Sequence, residues 1–509
     1  MAQTPRRQLG RKSVLSVLWG VGGIFLNNIV GLASFIILAR LLSPADYGLM
    51  SASMVLVNFA GLISDAFIGP SIIQRQNVDR RYYHAAYTAA LIVGVFLMVA
   101  IALASPLVAS FYRMPEVRLM ALAISPLLLL RALTTVPQAI MQRNLRYRAR
   151  TVIAVVAAVA DAVVSVCIAL AGYGAWALVG AVYTNVIVSG VMTTWLERRS
   201  LGLNLDMHHI RDQLFGLGGG FVLTRVSNFV ARNVDNVVVG RTLGGPALGL
   251  YSRSYSLMNL GVTALAGVAT QTLFPVLASV QSDTERLRVG MRRSVAMMAL
   301  LSLPVSVVGV VAGDALIRAA LGERWIGAIL PFQVLMAVFF ARTGYKATET
   351  TSQAQGRVYG TAWRQAIYAL MVFGGAAIGS QWGITGVAVL TSVAIVVFYA
   401  MSADFARRSV GMPWLEFLAA HRPGLLLALA GGVPAWLALL AAPTLPALGQ
   451  LALQCVAAGL GMLLAIKLRP SLFLGEAGLW LTGTLAEAAP FARPLVGWLV
   501  GPTPAVPNA

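Results

Sequence analysis

Two stretches of the sequence place polar side chains along one face of an otherwise apolar helix. In the first, TRVSNFVARNVDNVVVGR (residues 224–241), five side chains fall in a stripe about 100° wide at about 100° per residue: Arg225, Asn228, Arg232, Asp235 and Asn236. Guanidinium groups in such a stripe suit an anionic ligand, because their planar donor forks match phosphate and carboxylate oxygens. The stripe therefore indicates a polar surface, and Arg232 and Asp235 at i, i+3 are alternatively an ion pair that cancels buried charge.

The second stretch, ARTGYKATETTSQAQGR (residues 341–357), repeats the arrangement. Four of its side chains fall within a stripe about 60° wide: Arg342, Lys346, Glu349 and Gln353. This stripe permits the same two interpretations. Either the cations face an anionic ligand, or Glu349 neutralises Lys346 or Arg342 within the helix.

Five basic residues lie inside predicted membrane spans, where each costs about 2.5–3.5 kcal/mol near the centre: Arg131, Arg225, Arg232, Arg342 and Lys346. Arg225 lies about 16 Å into a span that begins at Leu214, at about 1.5 Å per residue. It has no acidic residue three or four positions away. We therefore predict that Arg225 is the central anchor for an anionic group.

Two acidic residues also lie inside predicted spans. Asp161 is isolated in the middle of an apolar span, and Asp65 lies near the end of another. An acid at this depth is a candidate site for a coupling proton or cation, as Asp235 and Glu349 also are. Asp161 and Asp65 are each alternatively the counter-ion of an arginine across a cavity.

The elements that position these residues are membrane-spanning helices. Hydrophobic residues form 58% of the 509-residue chain and charged residues only 11%, against about 25% charged in soluble proteins. Apolar runs of about 20 residues recur along the chain, as a bilayer core about 30 Å thick requires. We predict about fourteen spans: 13–39, 47–69, 83–104, 119–142, 151–172, 174–196, 214–240, 254–278, 294–317, 327–350, 365–381, 384–404, 423–442 and 446–466.

The formal charge of +20 follows the predicted topology. Of 38 Lys and Arg residues, 26 fall at the N-terminus, in the even-numbered connections and in the tail, and 7 in the odd connections. By the positive-inside rule, the segments that contain these 26 residues are cytoplasmic. Both termini are then predicted to be cytoplasmic, and the charge requires no nucleic acid partner.

An internal repeat predicts two lobes. The segments RLLSPADYGLMS (residues 40–51) and RTLGGPALGLYS (residues 241–252) share the pattern R-x-L-x5-G-L-x-S at an offset of 201 residues. Each follows the first span of a six-span block, so the blocks have the same orientation and are related by an axis along the membrane normal. We predict six-helix lobes at 1–200 and 201–410, two additional helices at 411–468, and an interfacial or disordered cytoplasmic tail at 469–509.

No sequence motif assembles a catalytic centre. HExxH, paired CxxC, Walker A and GxSxG patterns are missing from the sequence, and the two cysteines lie within separate predicted spans. We therefore expect a protein that is not an enzyme and that needs neither a cofactor nor a bound metal.

Several segments resemble the polysaccharide transporter family, the Wzx-type oligosaccharide flippases of the multidrug/oligosaccharidyl-lipid/polysaccharide exporter superfamily. They are LARLLSPADYGL, IIQR, VPQAIMQRNLRYR, GYGAWALV, RNVDNVVVGRTLG, LGLYSRSYSL and FPVLASVQSD. The likeness extends over roughly residues 10–410 and is strongest with the colanic-acid and exopolysaccharide branch. It fades over the last two predicted spans and the tail.

This resemblance implies a bacterial inner-membrane flippase that moves an undecaprenyl-pyrophosphate-linked oligosaccharide to the periplasmic leaflet by alternating access, coupled to an ion gradient or the membrane potential. Membrane lipids, and polysaccharide polymerase and co-polymerase proteins, are the expected partners. The family's cationic cavity corresponds to Arg131, Arg225, Arg232, Arg342 and Lys346, with Asn228 beside them. Two alternatives remain: a cation or drug antiporter, which requires an acid-dominated cavity, and a membrane-embedded polymerase or glycosyltransferase, which requires a large periplasmic loop or a donor-binding domain.

Overall fold

The regular structure of the chain is helical. The computed structural model describes residues 26–74, 80–198, 202–204, 219–268, 273–488 and 493–500, and every regular element within these ranges is a helix. The predicted all-α fold is therefore confirmed for the described residues.

Nine helical segments of the described residues are long and apolar enough to cross a membrane: Arg80–Tyr112, Glu116–Arg143, Tyr147–Leu170, Trp176–Leu196, Thr284–Val311, Glu323–Ala354, Tyr359–Ser409, Trp414–Ala441 and Ala447–Leu468. Together they make the chain a multi-pass membrane protein. The full fourteen-span, two-lobe layout stays a prediction.

The chain divides into two compact units, which meet in sequence between Gly249 and Leu250. The first unit contains α1 (Leu26–Leu41), α2 (Pro44–Gln74), α3 (Arg80–Tyr112), α4 (Glu116–Ile124), α5 (Leu127–Arg143), α6 (Tyr147–Leu170), α7 (Trp176–Leu196) and the first part of α8 (Gly219–Val268). The predicted span 119–142 is broken into α4 and α5 at Ser125–Pro126, because proline has no backbone N–H to continue the helical hydrogen bonds.

The second unit contains the rest of α8 and the remaining helices. They are α9 (Phe274–Ser279), α10 (Thr284–Val311), α11 (Gly313–Ala320), α12 (Ile329–Ala337), α13 (Phe339–Ala354), α14 (Val358–Gly379), α15 (Gly383–Ser409), α16 (Trp414–Ala419), α17 (Arg422–Ala441), α18 (Ala447–Leu468), α19 (Pro470–Ala488) and α20 (Arg493–Val500). The predicted tail therefore includes two helices, and an Arg292–Glu476 ion pair of 2.9 Å joins α19 to α10.

Helix α8 contains the first polar stripe and a sharp kink. Gly244 has φ 83° and ψ −178°, a conformation that glycine adopts at no steric cost. Pro246 follows in the first turn after the kink, where the missing N–H is tolerated. The predicted spans 214–240 and 254–278 are consequently joined by a turn at Gly244 rather than by a thirteen-residue connection at 241–253.

The two repeat segments cross within the first unit at a backbone-to-backbone contact. A methyl group on Gly48 would overlap the carbonyl oxygen of Gly245, and a methyl group on Gly249 would overlap the carbonyl oxygen of Pro44. The two halves of this contact are equivalent in the repeat. Gly249 corresponds to Gly48 and Gly245 corresponds to Pro44, because each pair is 201 residues apart. Only residues without a side chain allow two helices to approach this closely.

Helices α6 and α7 form an antiparallel pair that positions polar residues of both. They pack along most of their length, with Ser165 and Ala157 buried in α6 and Gly180 of α7 against the side chain of Ile168. Small residues at this interface hold the two helices close together. Their polar side chains therefore have defined neighbours.

Candidate functional site

The first unit contains a polar cavity of about 370 Å³. Helices α5, α6 and α7 contribute its lining: Arg131, Thr134, Thr135, Gln138, Ala139, Gln142, Arg150, Asn185, Val186 and Ser189. The lining contains two arginines and several neutral amides and hydroxyls, and none of these residues is acidic. An anionic or polyhydroxyl ligand suits such a surface, whereas a cation has no carboxylate to bind there.

Of the predicted substrate-binding residues whose side chains the structure describes, Arg131 borders this cavity. Its side chain is half-buried, and a methyl group on Gly61 of α2 would lie 3.2 Å from its Nη1. Arg131 makes no ion pair among the described side chains. Asp65 lies one turn beyond Gly61 on α2, but its side chain falls outside the described part of the structure, so its two alternative roles, coupling site and counter-ion, stay predictions.

Asp161 has an amide partner at the edge of the cavity. Asn185 donates its Nδ2 hydrogen to Asp161 Oδ2 at 2.6 Å, across the α6–α7 interface. Asn185 also lines the cavity, so one hydrogen bond connects the acid to the cavity wall. Binding of a proton or cation to Asp161 would therefore change the hydrogen bonding of a residue in the cavity wall, as a coupling site requires.

We expect Asp161→Asn to slow the export that the family resemblance implies by about tenfold, within the usual range of coupling between two sites, without lowering the amount of protein in the membrane. An asparagine at 161 still accepts the hydrogen bond from Asn185, so folding is preserved while the titratable group is lost. Export and membrane abundance are measured in the same cells. Parental export would exclude a coupling role for Asp161, and reduced abundance would indicate a structural role.

The α8 stripe is only partly described. The side chains of Arg225 and Asn228 fall outside the described residues, and their roles stay predictions. Arg232 is exposed, whereas Asp235 is 1% exposed and accepts a hydrogen bond from the backbone N–H of Asn236 at 2.8 Å. The alternative i, i+3 ion pair between Arg232 and Asp235 is not formed among the described ion pairs.

The stripe of α13 is engaged within the second unit. Arg342 is 5% exposed and donates from Nη1 to the hydroxyl of Tyr368 and from Nη2 to the hydroxyl of Tyr255, both at 2.8 Å. Lys346 and Glu349 form an ion pair of 2.8 Å. The structure therefore shows the charge-cancelling alternative for Lys346 and Glu349, and it places Arg342 in a tyrosine clamp.

Sequence reasoning missed most of the cavity lining, although a signal was present. On α5, Arg131, Thr135, Gln138 and Gln142 fall within about 60° of one another at helical spacing, which is the criterion that singled out the other two stripes. Glutamine and threonine carry no charge, and only Gln138 and Gln142 fall within the segment VPQAIMQRNLRYR that resembles the family. Arg150 and Ser189 have no comparable local signal.

A second cavity of the first unit has the opposite chemistry. It measures about 550 Å³ and is apolar except for Asn233 and Tyr112, with walls from α2, α3 and α8. Such a surface offers few hydrogen-bond donors to a polar head group. No cluster of three or more His, Cys, Asp or Glu that would hold a metal ion occurs in the described ranges.

Sequence comparison finds a match to one family and to several curated proteins. The family described as "Polysaccharide biosynthesis protein" matches residues 37–330. The teichuronic acid biosynthesis protein TuaB of Bacillus subtilis (strain 168) is 24% identical, over 72% of this chain and 77% of that protein. The lipopolysaccharide biosynthesis protein WzxC of Escherichia coli (strain K12) is also 24% identical, over 69% of this chain and 71% of its own length.

Solved structures share the fold at low sequence identity. The lipid II flippase MurJ in an inward closed conformation has a TM-score of 0.70 at 14% identity, and the match covers 90% of this chain and 99% of that one. An inward-facing multidrug resistance MATE transporter of the MOP superfamily has a TM-score of 0.60 at 16% identity, covering 76% and 94%. At these identities the similarity establishes the fold alone.

Proposed function

Because the chain belongs to the polysaccharide biosynthesis protein family, we propose that it is a flippase for undecaprenyl-pyrophosphate-linked oligosaccharides. It moves the repeat unit from the cytoplasmic to the periplasmic leaflet of the bacterial inner membrane during exopolysaccharide, capsule or O-antigen synthesis. Transport proceeds by alternating access and is coupled to an ion gradient or the membrane potential. Membrane lipids surround it, and polymerase and co-polymerase proteins receive its product.

The polar cavity of the first unit is the observation that supports this proposal most directly. A pyrophosphate needs charge-assisted donors to leave water, and guanidinium forks supply them. Arg131 borders the cavity without an ion-pair partner among the described residues. Its charge is therefore available to an anionic head group. The names of the curated relatives, which concern teichuronic acid and lipopolysaccharide synthesis, support the same class of substrate.

The alternative functions fit the cavity less well. A drug or cation antiporter is compatible with the shared MATE fold, but the cavity lining contains arginines and no carboxylate. A polymerase or glycosyltransferase would require a large periplasmic loop or a donor-binding domain, and the sequence predicts neither. Transport of a cationic dye by the purified protein would favour the antiporter.

Reconstitution tests the proposed function. Purified protein is incorporated into liposomes that contain a fluorescent undecaprenyl-pyrophosphate-linked oligosaccharide, and a membrane-impermeant quencher reports the fraction in the outer leaflet. We expect that fraction to change with time only in the vesicles that contain protein and a cation gradient or potential. Equal quenching in vesicles with and without protein would contradict the proposal.

The proposed orientation has a separate test. Reporter fusions after Arg150 and Arg293 should report a cytoplasmic location, and fusions after Gly172 and Trp382 a periplasmic one, because the basic connections stay on the cytoplasmic side. A periplasmic signal after Arg150 would reverse the orientation and place both termini in the periplasm.

A further inference from the structure

The polar cavity extends well beyond the arginine to which the proposed function assigns the pyrophosphate. Gln138 and Gln142 continue the face of α5 that begins at Arg131, and the row is about 16 Å long at 1.5 Å per residue. Both glutamine side chains are exposed and both line the cavity. The row lies on one face of a helix whose opposite face is buried, since Val136 and Ile140 are at most 3% exposed.

The facing wall comes from α7. Asn185 and Ser189 lie one helical turn apart and both line the cavity. Because Asn185 uses one amide hydrogen on Asp161, its carbonyl oxygen and second amide hydrogen stay available. Among the described residues, the Ser189 hydroxyl makes one long hydrogen bond, of 3.3 Å, to the carbonyl oxygen of Val186. Both walls therefore present neutral groups that donate and accept hydrogen bonds.

This chemistry matches sugar hydroxyls. A hydroxyl both donates and accepts, and an amide offers two donors and two acceptor lone pairs on one planar group. Neutral partners also cost less to desolvate than charged ones. The cavity volume of 370 Å³ lies within the range of roughly 300–1000 Å³ that is usual for ligand sites.

We propose that Gln138, Gln142 and Ser189 form a carbohydrate subsite that binds the sugars next to the pyrophosphate. The proposal rests on the proposed function and adds to it the surface that recognises the sugars. It separates two tasks within one cavity: Arg131 binds the phosphate common to every lipid-linked substrate, and the amide and hydroxyl row selects the glycan.

Two ligands separate the subsite from the phosphate anchor. One is bare undecaprenyl pyrophosphate, and the other is the lipid-linked oligosaccharide extracted from cells that lack this chain. Their affinities are measured with purified full-length protein. Leucine has nearly the volume of glutamine but no hydrogen-bonding groups, so the test variant is Gln138→Leu/Gln142→Leu. Gln381→Leu is the matched control, because Gln381 is an exposed residue of a 3-10 turn in the second unit.

We expect the double variant to bind the glycosylated lipid about tenfold more weakly, which corresponds to about 1.4 kcal/mol, and to bind the bare lipid as the parent does. Ser189→Ala, on the opposite wall, should show a smaller loss with the same selectivity, and Gln381→Leu should show none. Ser189→Ala is a small change, so it decides the question if the double variant does not fold. Equal weakening for both lipids, or none for either, would overturn the subsite. If the parent protein binds neither lipid, the proposed function itself fails.

Discussion

Replacing Arg131 with alanine should reduce polysaccharide export by about 10- to 100-fold, since hydrogen bonds to a charged group contribute about 1.5–3 kcal/mol. Arg131 makes no ion pair among the described residues, so its loss leaves no carboxylate of this part of the chain unpaired. The variant should therefore reach the membrane in normal amounts. Lysine at 131 should have an intermediate effect, because it retains the charge and loses the bidentate fork.

Arg146→Ala is the contrasting control. Arg146 pairs with Glu197 at 2.9 Å, and Glu197 is 6% exposed. Removing Arg146 leaves a buried carboxylate without its cation, which is strongly destabilising. This variant should lower membrane abundance, whereas Arg131→Ala should lower export per molecule.

The measurement compares surface polysaccharide with inner-leaflet lipid-linked oligosaccharide in cells whose membranes contain equal amounts of each variant. Precursor should accumulate in Arg131→Ala cells. If export and precursor both stay at parental levels, Arg131 is not the phosphate anchor. The same assay on Arg225→Ala then tests the residue that the sequence favoured.

Alanine at Gly48 or Gly249 should destabilise the protein strongly. The added methyl group would occupy the position of a backbone carbonyl oxygen, of Gly245 or of Pro44. Backbone atoms cannot rotate away as a side chain does, so the helices must separate. Overpacking typically costs about 1–3 kcal/mol, a large part of a net stability of about 5–15 kcal/mol. Because the contact is reciprocal, both variants should have similar effects.

Thermal unfolding of the detergent-purified variants measures this effect, and Gly459→Ala is its control. Gly459 lies in α18 with open space around its Cα, so alanine there should be neutral or slightly stabilising through its better helix propensity. Unfolding temperatures of the Gly48 and Gly249 variants that equal the parental value would show that the crossing contributes nothing to stability.

The helices themselves were largely predictable, because their causes are local. The predicted span 151–172 corresponds to Tyr147–Leu170, and 446–466 corresponds to Ala447–Leu468. A backbone inside a bilayer must satisfy its hydrogen bonds within the segment, so a long apolar run forms a helix regardless of its neighbours. The predicted span 119–142 corresponds to the candidate span Glu116–Arg143, which is interrupted at Pro126. The connection predicted at 241–253 was wrong, because the turn at Gly244 is shorter than assumed.

The candidate site was predictable only in part. Lys346 and Glu349 are neighbours on one helix, so their ion pair was foreseeable from spacing. The partner of Asp161 was not, since Asn185 lies 24 residues away on the next helix. The α5 row was visible in the periodicity, but nothing in that helix indicates that α7 presents Asn185 and Ser189 opposite to it.

The sequence by itself determined that this is a helical membrane protein with cations in its spans, because hydropathy and helical periodicity are properties of single segments. Only the tertiary structure distinguished one of those cations from another. In sequence, Arg131 and Arg342 are both basic residues inside predicted spans. In the structure, hydroxyls from residues 87 and 26 positions away hold Arg342, whereas Arg131 borders a polar cavity. Which groups meet a buried charge depends on how helices distant in the chain pack, and no single segment encodes that packing.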